Sequence, residues 1–163
     1  MHEQIPRPPR LFLDSGVVIA GTYTRWGSSK GVLILTALRA NFRAVIADPV
    51  HEEIARNMRK LTSRLADPEA RTIMTALEDW YKIARPLRLP RPSDDELQAH
   101  ADLLAVVRHH NDMPAVVAAV LFRPDWVLST NTEHWNAGLA QRTGLRSPIP
   151  LSSCKVCTPK ALP

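Results

Sequence analysis

Three acidic residues have positions from which they could bind a cation, and the first is Asp14 in LFLDSG, residues 11–16. It follows three apolar residues that predict a buried strand, and an unpaired carboxylate beside such a desolvated edge is costly. Either Asp14 caps the helix that follows, or it holds something positive. The pattern leaves both alternatives open.

The other two acids are Glu53 and Asp112. On a helical wheel, Glu53 lies at the flank of the apolar stripe that contains Val50 and Ile54, whereas Glu52 points into solvent. Asp112 directly precedes a helix with proline near its start, so capping is a strong alternative for it. Taken one by one, each acid is more often structural than catalytic.

Strands alternate with helices in the predicted elements that must position these acids. The predicted strands cover residues 11–13, 42–48, 125–130 and the segment CKVC at 154–157. The segment RPLRLPRP, 85–92, is predicted to be a connection, because it is too rich in proline for a helix or a central strand. A helical stretch is predicted over about 16–39, interrupted by a loop at TRWGSS. Two further helices are predicted to start at the capping residues Asp48 and Asp67, each followed by a proline. A fourth starts at the capping box Ser93–Glu96 and runs to about Val107, a fifth covers 113–122, and a short last helix ends at Gly144.

This alternation predicts an α/β fold, a three-layer α/β/α sandwich with a central, mainly parallel sheet. In such sheets ligands bind beyond the carboxyl ends of the strands. Asp14 and Asn131 each follow a predicted strand, so both face that functional edge. We expect a flexible N-terminal arm over residues 1–10, which hold three prolines and two arginines, and a single domain over 11–163.

The formal net charge of the 163-residue chain is +5. This balance favours an anionic partner, nucleic acid above all, although a solvated basic surface explains it equally well. Trp26 stands in a polar loop beside Arg25 and Lys30, which makes these three residues the best candidates for contacts with RNA. No apolar run has the length of a membrane span, and the N-terminus lacks the apolar core of a secretory signal. We therefore expect a cytoplasmic location and no membrane partner.

The two cysteines, Cys154 and Cys157, form one CxxC motif. Pro159 follows almost at once, so the helix that a thioredoxin-like motif needs has no room to form. A zinc site would need two further ligands, and no second pair at zinc spacing is present. We interpret both cysteines as small apolar residues of the last strand, with a small metal or redox protein as the alternative.

The order of the motifs resembles the PIN domain family. LDS follows a strand, EEIAR lies on the second helix, ND opens the AVVAAV helix and STN follows a later strand, and the resemblance runs from Leu11 to KVCTPKAL. The family comprises metal-dependent ribonucleases and includes the VapC-type toxins of toxin–antitoxin pairs. The resemblance implies an RNA substrate, an antitoxin protein and a homodimer as partners, and Mg²⁺ or Mn²⁺ as the cofactor. It assigns the catalytic and metal-binding acids to Asp14, Glu53 and Asp112, with Ser15, Ser129 and Thr130 in supporting positions.

Asn131 departs from the family pattern, in which an acid ends a T/S-x-D motif. Mg²⁺ and Mn²⁺ prefer carboxylate, carbonyl and water oxygens, so Asn131 can serve as a neutral metal ligand but supplies no charge. We therefore expect one well-held ion and weak binding of a second. Asp125 and Glu133 are the nearest acids that could compensate. A catalytically weak, RNA-binding PIN module is the first alternative function.

The histidines receive less weight. His109 and His110 are expected in the last turn of a helix, where adjacent side chains point about 100° apart and rarely bind one ion. With His51 they would make an alternative zinc or acid–base site. His134, in the segment NTEHW, is a weak candidate for a position near the phosphate path.

Overall fold

The computed structural model describes residues 7–39, 41–131 and 133–146. The predicted strand that contains Cys154 and Cys157 lies outside these ranges, as do residues 1–6 of the predicted arm. Within them the strands are β1 (Arg10–Leu13), β2 (Arg43–Ala47), β3 (Leu87–Leu89) and β4 (Trp126–Leu128). The helices are α1 (Ser15–Tyr23), α2 (Ser28–Ala37), α3 (Asp48–Thr62), α4 (Asp67–Ala84), α5 (Asp94–Ala99), α6 (Met113–Phe122) and α7 (Ala137–Thr143), with 3₁₀ turns at Ala101–Ala105 and His110–Asp112.

The four strands form one parallel sheet in the order β3-β2-β1-β4. The first two crossovers step in one direction along the sheet, and the third returns to the far side of β1. Because parallel crossovers are right-handed, this return places the connection that carries α6 on the opposite face from α1–α4. The predicted α/β sandwich with a parallel sheet is confirmed, and it is consistent with a PIN-like fold.

The core lies between the sheet and the helices, and the apolar spacing of the sequence accounts for it. Val50, Ile54 and Met58 recur at helical spacing on α3, and all three are buried. On α4 the indole of Trp80 is buried too, and its Nε1 donates hydrogen bonds to the carbonyl of Leu33 and the hydroxyl of Thr36. The predicted stripes are therefore the faces that pack. None of the helices in the ranges described is long and apolar enough to cross a membrane.

The prediction that residues 85–92 form only a connection is wrong. Leu87–Leu89 form β3, which pairs with β2 at the edge of the sheet. Pro86 and Pro90 flank the strand rather than interrupt it. An edge strand pairs on one side only, so three residues between prolines are enough to extend the sheet.

Two of the predicted helix caps are also wrong. Asp48 and Asp67 are the first residues of their helices, the cap positions fall on Ala47 and Ala66, and no side chain caps either helix. The carboxylate of Asp48 pairs instead with Arg88 on β3. The capping box of α5 at Ser93–Glu96 is confirmed, but α5 ends at Ala99, short of the predicted end near Val107.

The N-terminal residues 7–10, predicted as part of a flexible arm, are held by Asp125. Arg10 begins β1, and its backbone N–H donates to Asp125 Oδ2 at 2.7 Å. The two terminal nitrogens of the Arg7 guanidinium donate to the two oxygens of the same carboxylate at 2.9 and 3.1 Å. Asp125 therefore fixes the start of β1 against the start of β4.

Candidate active site

The carboxyl ends of β1 and β4 lie side by side, and this brings the predicted acids together. The backbone N–H of Asp14, just after β1, donates to the carbonyl of Leu128 at the end of β4. Glu53 reaches the same edge from α3, and Asp112 reaches it from the residue before α6. These three acids and Asn131 line one cleft of about 520 Å³. The cleft lies beyond the carboxyl ends of parallel strands, where ligands of such folds bind.

Asp14 is held firmly in place. One oxygen accepts a hydrogen bond from the backbone N–H of Ser15 at 2.9 Å, so the carboxylate does cap α1. The other oxygen accepts the hydroxyl of the fully buried Ser129 at 2.6 Å. Burial raises the pKa of Asp14 above its ordinary value although both hydrogen bonds oppose the shift, and the nearby charge of Asp112 raises it further.

Glu53 is half-buried and faces the other acids. Burial raises the pKa of Glu53, and the charges of Asp14 and Asp112 add to the shift, against the opposing effects of the Ser15 hydroxyl and of Arg56. Its neighbour Glu52 is exposed, as the helical wheel predicts, and pairs with Arg91. Two adjacent glutamates of α3 therefore have different surroundings.

Asp112 occupies the cap position of α6, as the capping alternative predicts, but its side chain makes no capping hydrogen bond. Its Oδ2 atom is buried and accepts no hydrogen bond within the ranges described. His134 Nδ1 lies 3.1 Å from this oxygen, but the relative orientation of the two groups is not that of a hydrogen bond. A buried carboxylate oxygen in this state is costly and favours a cation as its partner.

The turn after β4 supports the site through Ser129. The Ser129 hydroxyl accepts the backbone N–H of Asn131 at 2.9 Å while it donates to Asp14. The Oδ1 atom of Asn131 accepts the backbone N–H of Glu133 at 3.0 Å. The Asn131 amide therefore organises its own loop, and one of the lone pairs of its carbonyl oxygen is already used.

Gly16 allows this turn to approach α1 closely. A Cβ atom at this position would overlap the hydroxyl of Thr130, which extends over the first turn of the helix. Thr130 itself is exposed and lines the cleft. The glycine of LDSG is thus explained by packing against the supporting residue Thr130.

Neither of the two acids that could compensate for Asn131 lies in the cleft. Asp125 precedes β4, at the opposite end of the strand from the cleft, and it is paired with Arg7 and Arg10. Glu133 is exposed and forms an ion pair with Arg108. Each of the two acids is thus paired with arginine, and neither lines the cleft.

The sequence pattern marks His109 and His134 only weakly, yet both are site residues. Both line the cleft, and their rings meet edge to face with centroids 5.0 Å apart. His109 does not lie in the last turn of a long helix as expected, because α5 ends ten residues earlier, and it precedes the 3₁₀ turn that carries Asp112. His51 lies elsewhere, 3.0 Å from the Tyr81 hydroxyl. The only sequence signal for His134 was its position three residues after Asn131.

The tryptophans that were considered for base stacking differ in exposure. Trp135 is buried against Phe12, which excludes a stacking role for it in this arrangement. Trp126 is partly buried, with the Arg146 guanidinium over its ring. Trp26 is 88% exposed. Of these three rings, Trp26 has the surface that a base could cover.

The predicted RNA contacts at Arg25, Trp26 and Lys30 lie away from the acids. They follow α1, whose nine residues span about 13 Å, whereas Asp14 precedes it. Arg25 and Lys30 line a separate groove of about 570 Å³ that also contains Glu69. Their role in binding RNA stays a prediction.

The donor set of the cleft fits a hard divalent cation. Nearby carboxylates raise the pKa of Asp14 and of Glu53, which disfavours the ion-free site, and the Oδ2 atom of Asp112, which accepts no hydrogen bond, adds to that cost. Within the described ranges, no three histidine, cysteine or acidic side chains are already gathered as ligands around one point. Binding one ion by all three acids therefore requires their side chains to rotate toward it.

The sequence matches no family model and no curated protein. Among solved structures, it is similar in fold to a chain of the crystal structure of VapBC2 from Rickettsia felis bound to a DNA fragment from their promoter, with a TM-score of 0.53. The two chains are 14% identical, and the match covers 82% of this chain and 92% of that one. At this identity the likeness concerns the α/β fold alone.

Proposed function

We propose that the protein is a metal-dependent endoribonuclease of the PIN type and the toxin of a toxin–antitoxin pair. One observation carries the proposal: three acids that are far apart in sequence, Asp14, Glu53 and Asp112, line one cleft at the carboxyl edge of the sheet. Among the ion pairs of the described residues, none joins these acids to an arginine or a lysine. Elsewhere in the fold, acids such as Asp48 and Glu52 are paired with arginine.

The residues of the cleft would divide the work. Asp14, Glu53 and Asp112 would hold Mg²⁺ or Mn²⁺, which when bound lowers the pKa of a coordinated water and stabilises charge on a phosphate. Ser129 fixes the orientation of the Asp14 carboxylate through its 2.6 Å hydrogen bond. Arg56 and His109 also line the cleft, and they would contact the phosphates of a bound RNA strand.

Two features support the partners in this proposal. The net charge of +5 suits an RNA substrate. The similar fold in the VapBC2 structure supports an antitoxin partner. A homodimer remains an expectation from the family resemblance.

The proposal is tested by incubating the purified protein with single-stranded RNA and titrating Mg²⁺ or Mn²⁺. We expect cleavage within the strand that requires the metal and stops with a chelator. Asp112→Asn should abolish cleavage, because it removes the charge of the carboxylate whose Oδ2 atom accepts no hydrogen bond. The control variant Asp125→Asn should retain cleavage. RNA binding without cleavage would favour the alternative of a weak RNA-binding module, and neither binding nor cleavage would contradict both.

A further inference from the structure

His134 presents a metal-ligand nitrogen to the cleft at a specific distance from Asp112. The two atoms, His134 Nδ1 and Asp112 Oδ2, lie 3.1 Å apart, yet Oδ2 accepts no hydrogen bond. Both side chains are about three-quarters buried, each with 26% of its surface exposed. A simple ion pair would direct the N–H of the ring at the oxygen, and this arrangement does not.

The distance has a second interpretation. Two ligands in adjacent positions of an octahedral ion, each about 2.1 Å from it, lie about 3.0 Å apart. The Nδ1 and Oδ2 atoms are at that separation, and the cleft that both line also contains Asp14. An imidazole nitrogen and a carboxylate oxygen at this separation can therefore be neighbouring ligands of one ion.

The surroundings of His134 hold its ring in this position. The ring of His109 packs against it edge to face. The next residue, Trp135, is buried against Phe12 of β1, which fixes the backbone beside the sheet. Asn131, by contrast, uses its Oδ1 atom to accept the N–H of Glu133. His134 is thus the better placed of the two residues to serve as a ligand.

We propose that His134, through Nδ1, is the fourth protein ligand of the metal ion. It takes the role of the acid that the family pattern has at the position of Asn131. The inference rests on the proposed function, since it concerns the same metal site. It has a consequence for metal choice: carboxylates suit Mg²⁺ and Mn²⁺, whereas an imidazole ligand favours transition metals over Mg²⁺. The site should therefore bind Mn²⁺ more tightly than Mg²⁺.

The test is pulsed electron paramagnetic resonance of protein that has been stripped of metal ions and then loaded with Mn²⁺, in the absence of RNA. A directly bound imidazole gives a nitrogen modulation in the signal. We expect this modulation in the wild type, its loss in His134→Gln, and its retention in the matched control His110→Gln, since His110 is exposed on the 3₁₀ turn before α6 and does not line the cleft. His134→Gln should also weaken Mn²⁺ binding roughly tenfold, and Mg²⁺ binding less.

A second variant protects the test against a folding artefact. His134→Asp restores a charged oxygen ligand, so it should still bind Mn²⁺ but should shift the ratio of Mg²⁺ to Mn²⁺ affinity toward Mg²⁺. Mn²⁺ binding that depends on Asp14 but shows no nitrogen modulation, or keeps it in His134→Gln, overturns the inference and leaves the proposed function standing. No Mn²⁺ binding at millimolar concentration overturns both.

Discussion

The two ends of the parallel sheet treat an aspartate in opposite ways. At the carboxyl end, burial raises the pKa of Asp14, and the nearby Asp112 adds to the shift. At the amino end, the backbone N–H of Arg10 lowers the pKa of Asp125, and the guanidinium of Arg7 lowers it further. The surroundings of Asp14 therefore destabilise its charged form, whereas those of Asp125 stabilise it.

The difference separates acids that hold the fold together from acids kept for another purpose. The same contrast occurs within α3, where Asp48 and Glu52 pair with Arg88 and Arg91 but Glu53 faces two other acids. Clustered, desolvated carboxylates cost stability, so their presence in a cleft indicates function. Paired acids such as Asp125 need no such explanation.

The largest expected effect is that of Asp14→Asn. The variant should reduce metal-dependent RNA cleavage to background, because it removes one of the charges that would hold the ion. Its free energy of unfolding without metal should be unchanged or higher, since the charged form of Asp14 is disfavoured by burial. The measurements are a cleavage assay in a nuclease-free preparation and a denaturant titration. Full activity would show that Asp14 is not in the metal site.

Much of this contrast was predictable from the sequence. Apolar spacing on α3 gave the register that separates Glu53 from Glu52, and the position of Asp14 after a run of apolar residues gave its place at the sheet edge. Local order along the chain also gave the alternation of strands and helices, and with it the parallel sheet. These features depend on local patterns, which a sequence displays directly.

The rest depends on contacts between distant residues. The pairing of Asp125 with Arg7 joins positions 118 residues apart, and the proximity of His134 to Asp112 follows from where two loops meet. The strand at Leu87–Leu89 was missed because its prolines argue against a strand unless the segment is at an edge. Asp48 pairs with Arg88 on that strand, a contact between distant residues that the local Asp-Pro pattern does not display.

The comparison within α3 is sharpened by a matched pair of variants. Glu53→Gln should lower the rate of RNA cleavage far more than Glu52→Gln, because Glu53 lines the cleft and Glu52 is exposed beside Arg91. Both substitutions keep the size of the side chain and remove one charge. Turnover at saturating metal, measured for both variants, distinguishes them. Equal losses would mean that position in the cleft is irrelevant to the role of Glu53.

A smaller effect is expected from Asn131→Asp, which adds a fourth acid to the cleft that Asp14, Glu53 and Asp112 line. The new carboxylate can still accept the N–H of Glu133, so the loop should keep its conformation. Its charge should lower the Mg²⁺ or Mn²⁺ concentration for half-maximal cleavage several-fold. The check is a metal titration of both proteins at one pH and ionic strength. An unchanged or higher midpoint would place Asn131 outside the reach of the ion.

The smallest effect belongs to the paired end of the sheet, and it concerns stability alone. Asp125→Asn should lower the free energy of unfolding by about 1 kcal/mol at pH 7, since the hydrogen bonds from Arg7 and Arg10 lose their charged acceptor. The folded-state pKa of Asp125 is depressed, so its contribution is present above the unfolded value of about 3.9 and is lost as the pH falls through the folded value. Denaturant titrations of both proteins from neutral to acid pH should therefore converge at low pH, while RNA cleavage at neutral pH stays unchanged. A stability difference that persists in acid would assign the role of Asp125 to packing rather than charge, and the contrast with Asp14 would then rest on the carboxyl end alone.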